Sequence, residues 1–233
     1  MSKIRTRVMS FALAGIAAGM LLAPAASPAA APRGCVPAGG TLLRTTDGVR
    51  EYTFPQPGPP SGGSPGTDTF VCSDRSGRRV RVGRSFNGPR GPYGDKIEVI
   101  RFAGSYVALG TSRQGSYGVY YDDYIRRVNV TDGTQEITDV CTDCGAGSGM
   151  PDFRPGRPII NEHVTDLVVT RRGWIAWIAD DQRHANRYSV GRRDSRGIKI
   201  LDSSADMEPR SLAWTGTTIY WIAHGEPQDQ DLY

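Results

Sequence analysis

The chain has 233 residues, 38% of them hydrophobic and 22% charged, and a formal net charge of +4. This apolar content excludes a disordered polyelectrolyte. Three of the positive charges (Lys3, Arg5 and Arg7) lie in the first 31 residues, which hold no acid, so the remainder carries +4 less 3, or +1; composition gives no support for nucleic-acid binding.

Lys3, Arg5 and Arg7 form a positive n-region, Val8 to Leu22 an apolar h-region and Ala23 to Ala31 a small-residue tail. Residues 1–31 therefore read as a cleaved signal peptide and the protein as secreted. The apolar run is short and followed by Pro24 and Pro28, so no membrane span is expected after cleavage. Pro32 and Arg33 occupy the places where a lipobox before Cys35 needs an aliphatic and a small residue, which excludes a lipoprotein.

Residues 32–40 are a lead-in without periodicity. Thr41–Thr46 and Val49–Phe54 are two short strands around the hairpin dipeptide Asp47-Gly48. Residues 55–67, PQPGPPSGGSPGT, are a Pro/Gly/Ser loop insertion too poor in apolar residues to pack. Thr69–Ser73 and Arg79–Val82 complete a first four-strand unit. The second unit pairs Lys96–Phe102 with Ser105–Thr111, then Tyr120–Val130 with Thr134–Ile137 around Thr131-Asp132-Gly133. A second insertion, 138–162, breaks the rhythm.

The clearest unit follows, as strands at Val164–Thr170, Gly173–Ala179, Asn186–Arg192 and Gly197–Asp202. It recurs: Ile175-Ala176-Trp177-Ile178 returns as Ile219-Tyr220-Trp221-Ile222, and Val107-Ala108 is an earlier copy. The copies lie 68 and then 44 residues apart. The shorter spacing fits about 40–45 residues per four-stranded blade and the longer one a blade plus an insertion. The final Arg210–Thr215 and Thr217–Ala223 pair leaves only Asp229–Tyr233 for a third strand. The last unit therefore lacks a strand or borrows one from the N-terminus. No stretch has a sustained 3.6-residue period.

The strand, tight turn, Ile/Val-Ala/Tyr-Leu/Trp strand and Asp-Gly hairpin resemble the repeats of TolB/WD40-like β-propeller proteins of secreted bacterial type. The resemblance covers residues 41–233 and implies an all-β, propeller-like domain of about four four-stranded blades. It implies no catalytic motif.

Four cysteines in an oxidising compartment predict two disulfides, Cys35–Cys72 tying the lead-in to the first sheet and Cys141–Cys144 as a local clip. A redox role for Cys141-Thr142-Asp143-Cys144 needs a following helix, and Gly145 to Pro151 supply none. A zinc site needs two further ligands at suitable spacing, and only Cys35 and Cys72, distant in sequence, remain. No metal and no cofactor are expected.

Ser112, Asp180 and His224 fall one step beyond equivalent strands, so repeat symmetry places them on one rim but too far apart to touch. No GxSxG surrounds Ser112. The acidic pairs Asp122-Asp123 and Asp180-Asp181 lack the spacing of a calcium loop, and His163 and His184 read as isolated. Trp177 and Trp221 share one repeat position and are assigned to inter-blade packing, with Trp174 and Trp214 left open. Tyr117, Tyr120, Tyr121 and Tyr124 cluster near a loop and are the candidates for an exposed aromatic contact.

These features point to a secreted non-enzymatic binding or interaction module with no catalytic residues, facing a protein or glycan partner through the insertion loops. A homodimer through an open sheet edge is a further expectation. The rival reading is an extracellular hydrolase or lyase acting on a glycan or ester through channel-facing carboxylates.

Overall fold

The computed structural model describes residues 34–58, 65–88, 91–114, 121–140, 163–181 and 186–233. Runs rich in Val, Ile, Tyr and Thr, punctuated by Gly and Asp, give fifteen strands and no helix among those residues. The first eight are β1 (Thr41–Thr46), β2 (Val49–Gln56), β3 (Gly66–Ser73), β4 (Arg79–Gly88), β5 (Gly91–Ala103), β6 (Tyr106–Gln114), β7 (Tyr121–Asn129) and β8 (Gln135–Asp139). There follow β9 (Val164–Val169), β10 (Ile175–Asp181), β11 (Arg187–Asp194), β12 (Gly197–Ser204), β13 (Ala213–Thr215), β14 (Thr218–Ala223) and β15 (Glu226–Asp231). Each strand pairs antiparallel with its neighbour in sequence, except where one sheet gives way to the next.

The strands form three unclosed sheets: β1 to β8, β9 to β12 and β13 to β15. Four separate sheets were expected, and the first two are joined. Ser85–Gly88 of β4 pairs with Gly91–Gly94 of β5, while Arg79–Phe86 pairs with β3 and Gly94–Ala103 with β6. A short hairpin of four residue pairs thus fuses two four-strand modules into one sheet. The last module has three strands, and β1 pairs with β2 instead of completing it.

Alternation along the strands sends successive side chains to opposite faces, and each face is buried against a different module. Val107 and Leu109 of β6 pack with Val49, Val71, Val80 and Val82 of the first module. Ala108, between them, faces the other way and packs with Val164, Ile175 and Trp177 of the third. One module on, Ile175 and Trp177 face back in that way, while Ala176 and Ile178 meet Ile219, Trp221 and Ala223 of the fourth. The equivalence of Trp177 and Trp221 is thus real, since each is buried against the preceding module. Tyr220, at the place of Ala108 and Ala176, is 38% exposed on the last module's outer face.

At the other end the lead-in covers the outer face of β2 and β3. The expected Cys35–Cys72 disulfide is present, with 5.8 Å between Cα atoms. Both cysteines are buried with Tyr52, against Val36, Phe54 and Phe70. Cys141 and Cys144 lie outside the described residues, as does most of the 138–162 insertion.

Candidate functional site

Ser112 of β6 lies opposite Lys96 of β5 and Asp123 of β7. His163 leads into β9, its backbone fastened to β10: Asp180 N donates to His163 O at 2.9 Å, and His163 N donates to Asp180 Oδ1 at 2.6 Å. That anchorage delivers the His163 imidazole to the junction of the second and third modules. Its Nδ1 sits 2.6 Å from Asp123 Oδ2 and 3.5 Å from Ser112 Oγ. Ser112 Oγ donates to Glu98 Oε1 at 3.2 Å, and Glu98 pairs with Lys96 at 2.9 Å.

A hydrolytic Ser-His-Asp relay needs hydroxyl and carboxylate on opposite ring nitrogens, so that the ring passes a proton through. Here both approach Nδ1, and the hydroxyl is engaged by Glu98. The Asp123 side chain is 2% exposed and the His163 side chain 37%. Burial pushes the Asp123 carboxyl above its ordinary value, opposed by its bonds to Ser112 and His163. The arrangement holds the imidazole beside a buried carboxylate and a hydroxyl, both on its Nδ1 side.

The sequence treats His163 as isolated, and the fold corrects this. Ser112 and Asp180 both meet His163, while His224 is held elsewhere, Nε2 3.4 Å from Ser204 Oγ and Nδ1 3.3 Å from Asp206 Oδ2. The β6–β7 hairpin register makes Ser112 and Asp123 neighbours. The approach of His163, 51 residues beyond Ser112, left no local signal.

Tyr124 is not an exposed aromatic contact. It is 4% exposed, its hydroxyl donates to Asp95 Oδ1 at 3.2 Å, and Arg126 Nη2 donates to that hydroxyl at 3.0 Å. Arg113 and Arg126 lie within 5.2 and 5.4 Å of its ring centre. The ring is an internal spacer among charges. Tyr117 and Tyr120 lie outside the described residues, as does the side chain of Tyr121. Of the remaining tryptophans, Trp174 is covered by the Arg172 guanidinium at 4.9 Å, and Trp214 is exposed.

The sequence did not single out a cleft of about 370 Å3 lined by Phe70, Arg78, Arg79, Val80, Arg81, Gly133 and Gln135. Alternation on β4 buries Val80 and Val82 inward and turns Arg79 and Arg81 out to solvent. Phe70 lies opposite Arg81 across the β3–β4 pair and stacks on Tyr52 with ring centres 5.3 Å apart. The β7–β8 turn forms the far wall. Asp132 Oδ1 accepts from Thr134 N and Oγ1, and Asp132 Oδ2 accepts from Asn129 Nδ2. Gly133 has φ +81°, a left-handed conformation that favours glycine, and the Arg78 guanidinium lies over it, Nη1 2.9 Å from where a Cβ would stand.

Among the described residues no group of three or more His, Cys, Asp or Glu side chains is placed to hold a metal ion. A scan against protein-family models finds no match, and a search of curated proteins finds none.

Proposed function

We propose that this is an exported, propeller-like module that binds a partner without transforming it. The one-directional stacking supports the propeller-like reading, because the second and third modules each bury one face on their predecessor and the other on their successor. Four units in an open array present long rims and two ends, a form suited to contact. The buried Cys35–Cys72 bridge accords with an oxidising compartment.

The single observation that carries the binding reading is the shared use of His163 Nδ1 by Ser112 and Asp123. With the hydroxyl and the carboxylate on the same ring nitrogen, the geometry suits a brace between modules better than a proton relay. Of the acids that a rival glycosidase reading would use, Asp123 is buried, which favours a structural role for it.

The test is a paired measurement on the full chain after export. Chromogenic glycosides and esters are incubated with it, and insoluble extracellular polysaccharides are used to sediment it. Saturable co-sedimentation with no turnover above buffer is the expected result. Turnover that Asp123→Asn or Ser112→Ala abolishes would replace this reading with the enzymatic one.

A further inference from the structure

We propose that the cleft walled by Arg78, Arg79 and Arg81 is a site for a tetrahedral oxyanion, a sulfate or phosphate ester group carried by the ligand. The proposal deepens the binding reading and rests on it. Arg79 and Arg81 share one face of β4, two residues and so about 7 Å apart. Arg78 enters from the turn above Gly133, and the Gln135 amide completes the rim. The guanidinium groups therefore come from two directions over a floor that includes the Phe70 ring.

Their charge is incompletely spent within the protein. Arg84 takes the nearby Asp68 in a two-point grip, at 2.5 and 2.9 Å, leaving Arg81 a distant 3.9 Å contact with that carboxylate. Arg79 Nη2 donates to a neutral acceptor, the Gly34 carbonyl, at 3.3 Å. Asp132 lies near Arg78, but both its oxygens are committed to the turn that it caps. Arg50 is matched by Asp74 at 2.6 Å. Among the described residues no carboxylate lines the cleft.

Geometry selects the anion. A planar carboxylate is satisfied by one guanidinium fork, as Arg84 satisfies Asp68. Several forks converging from a strand and a turn match a group with three outward oxygens instead. The opening is within the range of about 300–1,000 Å3 typical of small-ligand pockets, larger than the anion alone needs, which leaves room for the group that bears it.

The experiment is calorimetric titration of the full chain with sodium sulfate, sodium phosphate and sodium acetate at constant chloride. Saturable millimolar binding of sulfate or phosphate is expected, with acetate weaker by about tenfold. The tighter of the two names the ester. Arg79→Gln with Arg81→Gln should weaken it by about tenfold or more, and Arg79→Lys, which keeps the charge but loses the fork, by several-fold. Arg210→Gln, away from the cleft, should leave it unchanged, and a thermal melt confirms that each variant is folded. Equal acetate affinity, no saturable anion binding, or a double variant that binds as before overturns the proposal. If the anions fail while the chain still sediments with a neutral polysaccharide, this inference falls and the binding reading stands.

Discussion

Asp166 Oδ2 accepts a hydrogen bond from the Leu212 backbone N–H at 3.1 Å. The other carboxylate oxygen of this buried β9 residue accepts from Arg101 Nη2 on β5 at 3.0 Å and from Leu167 N at 2.9 Å. One side chain thereby links three sheets: β5 belongs to the first, β9 to the second, and Leu212 directly precedes β13 of the third. Removing it strands two backbone donors in the core, where an unsatisfied group costs about 1–3 kcal/mol. Asp166→Ala is expected to lower stability by about 3 kcal/mol and the melting temperature by about 6–12 °C. Arg101→Ala, whose head is half-exposed, should cost at most about 1 kcal/mol. Equal losses in the two melts would show that the backbone contacts contribute nothing.

The Cys35–Cys72 bridge closes a loop with a sequence separation of 37. Cross-linking that much chain restricts the unfolded ensemble by about 4 kcal/mol on the loop-entropy estimate. Cys35→Ser with Cys72→Ser should lose stability of that order and uncover the Tyr52 face, detected as increased dye binding to apolar surface. A melt that is identical with and without reductant would show that the lead-in is held by packing alone.

Strand positions and their repeat were legible because each module spells out its own period-two pattern and its own Asp-Gly or Gly-rich turn. Ile175 to Ile178 and Ile219 to Ile222 encode even the direction each face looks. What the sequence hid depends on contacts between modules or on a single turn. The β4–β5 join rests on four pairs in a Gly/Pro-rich connector, whose apolar signal is the Phe86–Tyr93 pair, stacked with ring centres 5.0 Å apart. His163 finds Asp123 only because one β9 backbone docks on β10. The arginine cleft needed the β7–β8 turn brought beside β4, and an outward Arg on a strand reads as ordinary solvation. Tyr124 misled for the opposite reason, since a polar-looking neighbourhood of Arg and Asp is internal here.

Two buried carboxylates give opposite responses to pH. Burial raises the Glu51 carboxyl above its usual 4.5, and Arg44, 3.7 Å away, offsets this only in part. The folded state then binds that proton more tightly than the unfolded chain. Stability accordingly falls as pH rises from the usual value through the raised one, and stays lower above it. Glu51→Gln should raise the melting temperature by about 1–3 °C at neutral pH and by nothing at about pH 3. A Gln variant less stable at neutral pH would reverse the sign.

Asp194 behaves conversely. Burial pushes its carboxyl up, but the backbone N–H groups of Tyr233 and Arg196, with the Arg192 guanidinium, outweigh it and hold it below the usual 3.8. Its stabilisation is complete above the usual value and disappears as pH falls through the depressed one. Asp194→Asn is expected to cost about 2–4 kcal/mol at neutral pH, because it leaves Arg192 buried without its partner. Urea melts of both proteins should converge in strong acid; a gap that persists there would assign the loss to packing.

Gly191 and Trp177 are cross-strand partners on β11 and β10, and the fully buried indole lies over the glycine. A Cβ at residue 191 would overlap the ring at Cζ2 and Cε2, so the glycine makes the slot in which the tryptophan lies flat. Gly191→Ala forces the ring toward the second module and should cost about 3 kcal/mol, with a red shift in tryptophan emission. Trp177→Phe removes the second ring of the indole, together with its buried Nε1, and costs about 2 kcal/mol alone. Combined, the two changes relieve each other, because the smaller ring tolerates the new methyl. The double variant is expected to recover about 1 kcal/mol or more relative to the sum of the singles. Additivity within about 0.5 kcal/mol would mean that the two side chains do not share this space.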